Sequence, residues 1–124
     1  MEFKIDTKSN FSIITPVTTT VNANLADILA EKCQEIRQSG SLHLIIDLHH
    51  CTALEADAIS SLVSLHEESY SNDYSLVFTG ITDKVMTILK EDETDLLINV
   101  APKMQEAIDI VSMEILERDL LGEE

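Results

Sequence analysis

The 124-residue chain has no tryptophan, and aromatic residues make up only 4% of it. That leaves too few rings for a base-stacking platform of the kind that grips single-stranded nucleic acid. Basic side chains are scarce as well: 8 Lys and Arg stand against 23 Asp and Glu, for a formal net charge of −15 at pH 7. A surface this negative repels phosphate backbones and anionic lipid, so neither nucleic-acid nor membrane-surface partners are expected. The two cysteines, Cys33 and Cys51, are too few for the disulfide framework of a small secreted domain and lack metal-site spacing. They are read as reduced thiols. No stretch approaches roughly 18 uninterrupted apolar residues. The opening MEFKIDTKSN carries charges of both signs without the apolar segment of a secretory signal. A soluble, cytoplasmic protein of bacterial type is the expectation.

Glycine and proline are also sparse, at three and two residues, and no Gly/Ser/Pro-rich linker or internal repeat divides the chain. One domain over residues 1–124 is expected. With 44% apolar and 25% charged residues, it has the composition of a packed core under a solvated surface.

Phe3 and Ile5 alternate with Lys4 and Asp6, and Phe11, Ile13 and Ile14 follow a polar turn from Thr7 to Asn10, which predicts an antiparallel hairpin. From Asn24 the spacing turns helical through Leu25, Ile28, Leu29, Cys33 and Ile36, with Asn22 or Asn24 as cap and Gly40 as terminator. Leu42 to Leu48 is a nearly continuous apolar run, the pattern of a strand covered on both faces. A second helix begins near Asp57 and shows Ala58, Ile59, Leu62, Val63 and His66 on one side. Leu76 to Phe78 form a strand closed by Gly80, and Thr82 caps a third helix carrying Val85, Met86 and Leu89. Glu91, Asp92, Glu93 and Asp95 read as a solvated connection, followed by a last strand from Leu96 to Val100. Pro102 fits the first turn of a fourth helix running to the chain end, with Met104, Ala107, Ile108, Val111 and Ile115 on one face. The order ββαβαβαβα predicts an α/β fold, a mixed sheet of about five strands with an N-terminal antiparallel hairpin and four helices. Along the last helix Ile110, Met113, Leu116, Leu120 and Leu121 exceed the apolar face a monomer needs, which suggests a further packing contact or a weak homodimer.

His43, His49, His50, His66 and Cys51 are metal-ligand types, but adjacent side chains in extended chain point apart and no second Cys/His pair stands at zinc spacing. No metal or cofactor is expected. Nothing in the sequence lowers the Cys51 thiol pKa for nucleophilic work, and Gly40, Gly80 and Gly122 stand alone rather than in a phosphate-binding loop. No catalytic residue is expected. Asp47 ends the central strand and Thr79 the next, an arrangement that resembles response-regulator receiver domains. In that family an aspartate accepts phosphate beside an acidic pair, which this chain lacks after its first strands. Lys103 also follows Pro102 where the family's lysine precedes a proline. A phosphorelay receiver using Asp47 is the alternative; the simpler role of Asp47 is to accept loop amide hydrogen bonds.

Leu44 to Leu65, LIIDLHHCTALEADAISSLVSL, joins a buried strand, a polar loop and a helix opened by acidic and small residues. It resembles the STAS family, the domains of anti-sigma factor antagonists and sulfate transporters, whose members read a hydrophobic strand ending in Asp-Leu, a loop, and an Asp-Ser-Ser-Gly-Leu-like motif. Here the corresponding residues are Glu55, Ala56, Asp57, Ala58 and Ile59. The resemblance implies a non-enzymatic signalling domain that binds a protein partner through these five residues, the partner being an anti-sigma factor of serine-kinase type. In antagonists the motif's second serine is phosphorylated, which breaks the complex and controls sigma-factor release. That serine falls on Asp57, so the chain resembles one with a fixed charge where the family toggles one. Asp57 as a helix cap alone would be worth about 1 kcal/mol. Ala58 replaces the family's glycine. Ser60 and Ser61, one turn on, read as ordinary helix serines, with substitute phosphosites as the other option. A STAS module binding a small molecule is a further alternative.

Overall fold

A computed structural model describes residues 2–122. Strands β1 (Glu2–Thr7) and β2 (Ser12–Val17) form the expected hairpin, with Ile5 opposite Ile14. A two-residue strand β3 (Thr20–Val21) leads into α1 (Ala23–Gln38). The Asn22 side chain caps that helix by accepting the Leu25 N–H at 2.8 Å, and Gly40, at φ +112°, turns the chain away behind it. Then follow β4 (Leu44–Asp47), β5 (Ala53–Leu54), α2 (Ala56–Ser71), β6 (Leu76–Thr79), α3 (Asp83–Glu91), β7 (Val100–Ala101) and α4 (Met104–Gly122).

The main sheet has the order β1-β2-β4-β6-β7, antiparallel only at the hairpin and parallel elsewhere, while β3 and β5 pair in a separate parallel ribbon. Alternate residues of the buried strands serve different layers. Leu44, Ile46, Leu76 and Phe78 pack against Leu25, Leu29, Leu62, Val85 and Leu89 of α1, α2 and α3. Ile45, Val77 and Ala101 face the other way, onto Ala107 and Val111 of α4. The fold is thus the α/β mixed sheet with four helices, three on one face and α4 alone on the other.

Four local readings are corrected. The central strand is shorter than Leu42 to Leu48: Leu42 is exposed, and His43 precedes β4 rather than belonging to it. Helix α2 opens at Ala56 with Glu55 in the cap position, so Asp57 sits inside the first turn and does not cap. The apolar run from Leu96 is not a strand. Glu93 takes a left-handed backbone (φ 55°), Thr94–Leu96 form a 3-10 turn, and Leu96 and Leu97 remain 77% and 57% exposed, which leaves only Val100–Ala101 to pair. Pro102 precedes α4 rather than entering its first turn, because the Ala107 N–H already bonds the Lys103 carbonyl and places the helix start after Lys103. The expected run of α4 over residues 123 and 124 lies outside the described residues.

Candidate functional site

The parallel strands β4, β6 and β7 end at one edge of the sheet, and α2, α3 and α4 begin beyond it. Loops at this edge are where α/β sheets present functional groups. The loop after β4 is pinned along its length. Its Leu48 N–H bonds the Thr79 carbonyl, the Thr52 and Ala53 N–H groups converge on the Thr19 carbonyl, and the Glu55 N–H reaches the Val21 carbonyl, all at 2.8–3.0 Å. The β3–β5 ribbon, which has no periodic signature in the sequence, is what delivers the chain to α2 at a fixed angle.

Asp47 accepts the His49 N–H at 3.1 Å and lies 2.9 Å from His49 Nδ1, the loop-amide role expected of it. Gly80 sits against this pair at φ +69°: a Cβ there would collide with Asp47 Oδ1 and lie 3.2 Å from His49. The His49 and His50 rings lie 4.0 Å apart between centres, tilted by 40°, and the buried Nε2 of His50 has no hydrogen-bond partner among the described residues. Among the described residues, no three His, Cys, Asp or Glu side chains gather in a metal-binding arrangement. Burial, reinforced by the Asp47 charge, pushes the Cys51 thiol up to about 11, and burial pushes Cys33 up to about 12. Both stay protonated near neutrality and are poor nucleophiles. His66 and His43 lie apart from this edge. Their ring nitrogens accept the backbone N–H groups of Asn99 and Ser75, each at 3.0 Å.

At the start of α2, Glu55 has extended backbone (φ −89°, ψ 142°) and its side chain makes no capping bond, so the first-turn amides are left without a side-chain acceptor from the cap. Glu55, Ala56 and Asp57 are exposed, whereas Ala58 and Ile59 turn into the core. Of the five residues singled out in the sequence, three form the surface and two anchor it. Next to them Thr82 caps α3 by accepting the Val85 N–H and ties that start to the loop by donating to the Cys51 carbonyl at 3.3 Å. Between α3 and β7 a cleft of about 410 Å³ is lined by Ile81, Met86, Val100 and Pro102, with Asp83, Lys90 and Asp95 at its margins. The edge therefore offers exposed carboxylates and a small apolar recess.

The family model of the STAS domain matches residues 3–107. The chain belongs to that family. No curated protein matches it in sequence. Solved structures share this STAS fold at low identity. A Thermotoga maritima protein assigned as an anti-sigma factor antagonist superposes with a TM-score of 0.75 at 13% identity, over 89% of this chain and 94% of that one. A Moorella thermoacetica RsbS variant carrying glutamate for serine gives 0.72 at 17%, over 90% and 96%. The anti-sigma factor antagonist SpoIIAA in its unphosphorylated form gives 0.68 at 12%, over 90% and 96%, and the phosphorylated Bacillus SpoIIAA gives 0.61 at 12%, over 89% and 99%. No helix among the described residues of this STAS domain is long and apolar enough to cross a membrane.

Proposed function

We propose that this STAS domain acts as a single, non-enzymatic interaction module of the anti-sigma factor antagonist kind, in the cytoplasm, docking a kinase-like anti-sigma factor with the loop from His49 to Glu55 and the first turn of α2. The observation that carries the proposal is the exposed Asp57 carboxylate on that turn. First-turn amides without a side-chain acceptor from Glu55, together with the positive end of the helix dipole, favour an anion there. Aspartate supplies one charge and two acceptor oxygens, against about −1.5 to −2 and three oxygens for phosphoserine. Asp57 is then a weaker, permanent version of the charge that the resemblance places under kinase control. Ala58 and Ile59 hold the turn on the core, and Glu55 and Ala56 flank the carboxylate.

The test is affinity capture from the native host with the full chain as bait, followed by mass spectrometry, repeated with Asp57→Ala, Asp57→Ser and Asp57→Lys. The expected result is recovery of an ATP-binding regulator, reduced at least tenfold by Asp57→Lys in a chain that still unfolds cooperatively well above the capture temperature. Asp57→Ser is expected to become a phosphoacceptor for the captured partner. Equal recovery with all three variants would remove the contact role of Asp57.

A further inference from the structure

Helix α4 covers the sheet face opposite to α1–α3 with Ala107 and Val111, supported by Ile108 and Ile115. On the opposite side of the same helix, Met113, Leu116 and Leu120 are 61%, 58% and 63% exposed. Their spacing of three and then four residues places them in one row, the seam pattern that packs against another helix. A helix apolar on two opposite faces is the signature of one covered on both sides, and among the described residues only the sheet covers it.

Charge decides what kind of partner fits. Glu117 and Asp119 are exposed beside the row. Arg118, between them in sequence, turns inward: its Nη1 donates to Ser75 Oγ at 2.8 Å, and its guanidinium lies 6.0 Å from the centre of the Tyr70 ring. The last turn of α4 carries no basic side chain, so the negative end of the helix dipole adds to the acidic border. A second copy would bring acid against acid across the seam and one chain of charge −15 against another. An anionic membrane surface is repelled for the same reason.

We propose that the outer face of α4 docks an amphipathic helix of a protein partner, with aliphatic residues at seam spacing and Lys or Arg on its flanks. This surface lies across the sheet from the start of α2, so a partner held there leaves Asp57 free.

The full chain would be titrated, by fluorescence anisotropy, into three labelled synthetic peptides of about 14 residues, four helical turns each. One has leucines at seam spacing flanked by lysines, one has the same leucines flanked by glutamates, and one is the lysine peptide scrambled. All are used below the concentration at which they self-associate. The lysine peptide is expected to bind at least tenfold more tightly than either of the others, and binding is expected to weaken as salt screens the flanking pairs. Leu116→Ser, at a solvent-facing position, is expected to cost at least tenfold in affinity with an unchanged melting temperature. Asp57→Lys is expected to bind as well as the parent chain, which separates this surface from the one proposed at α2. Equal binding of the scrambled peptide would reduce the effect to charge alone, equal binding of the glutamate peptide would remove the charge argument, and absence of binding would remove the site. A dimer in sedimentation velocity that Leu116→Ser dissociates would make the occupant a second copy and overturn the proposal.

Discussion

Gly80 shows how a single backbone position can hold a loop. Its φ of +69° lies in the left-handed region, and an added methyl group would strike Asp47 Oδ1, the atom that receives the His49 N–H. Gly80→Ala therefore combines left-handed strain, about 1 kcal/mol, with displacement of the carboxylate that shapes the loop. The expected loss is roughly 1–3 kcal/mol of unfolding free energy, read from urea midpoints at constant slope; an unshifted midpoint would show that the loop tolerates the methyl group. The thiols give a second check at this scale. Cys33 and Cys51 are both buried and raised well above neutrality, so alkylation of the native chain is expected to be far slower than that of the urea-unfolded chain, followed by intact mass. Rapid native labelling of Cys51 would contradict its closed setting beside Asp47.

Among the elements, two helix starts separate capping from charge. Asn22 accepts the Leu25 N–H at the start of α1, while Asp57 lies exposed one position into α2 and makes no capping bond. Asn22→Ala is expected to cost about 1 kcal/mol. Asp57→Ala loses only its interaction with the dipole, about 0.3–1 kcal/mol at an exposed site. Chemical denaturation of both variants checks the order, and a larger loss from Asp57→Ala would mean that its carboxylate holds the helix rather than faces a partner. The same pair shows what the sequence makes legible. Helices α1 and α4 and strands β4 and β6 announce themselves by apolar period, and the first turn of α2 by small and acidic residues after a polar loop. The cap at Glu55 does not, since glutamate is not a preferred cap residue and here its side chain makes no capping bond. Nor does the β3–β5 ribbon, whose two-residue strands are too short to carry a period. Leu96, Leu97 and Ile98 mislead because a short apolar run reads alike as strand or turn, and only Ile98 reaches the core. The pairing of His66 with the Asn99 N–H joins residues 33 apart, beyond any local pattern.

Across the whole molecule, two electrostatic effects act on stability along different axes. At a net charge of −15 the compact state repels itself, so at about pH 7.5 the melting temperature is expected to rise between low salt and about 0.5 M sodium chloride. The histidines respond to pH instead. His43 Nδ1 and His66 Nε2 accept the N–H groups of Ser75 and Asn99, just ahead of β6 and β7, and a protonated imidazole has no acceptor nitrogen left. Burial is the main cause holding both below the ordinary 6.5. For His43, Arg118 and Arg37 add to it against Glu114 and Asp119; for His66, Glu114 and Glu67 oppose it. With the folded-state pKa depressed, the unfolded chain takes up protons first as pH falls. The stability from neutral histidine is complete above about 6.5 and is lost as pH drops through the folded-state value. In high salt, where the self-repulsion is already screened, the melting temperature is expected to fall between about pH 7.5 and about pH 5.5. His43→Gln and His66→Gln should each flatten this fall, because glutamine does not titrate. An unchanged slope in both variants would overturn the assignment of this fall to His43 and His66 and leave the two rings as neutral packing at the entry to β6 and β7.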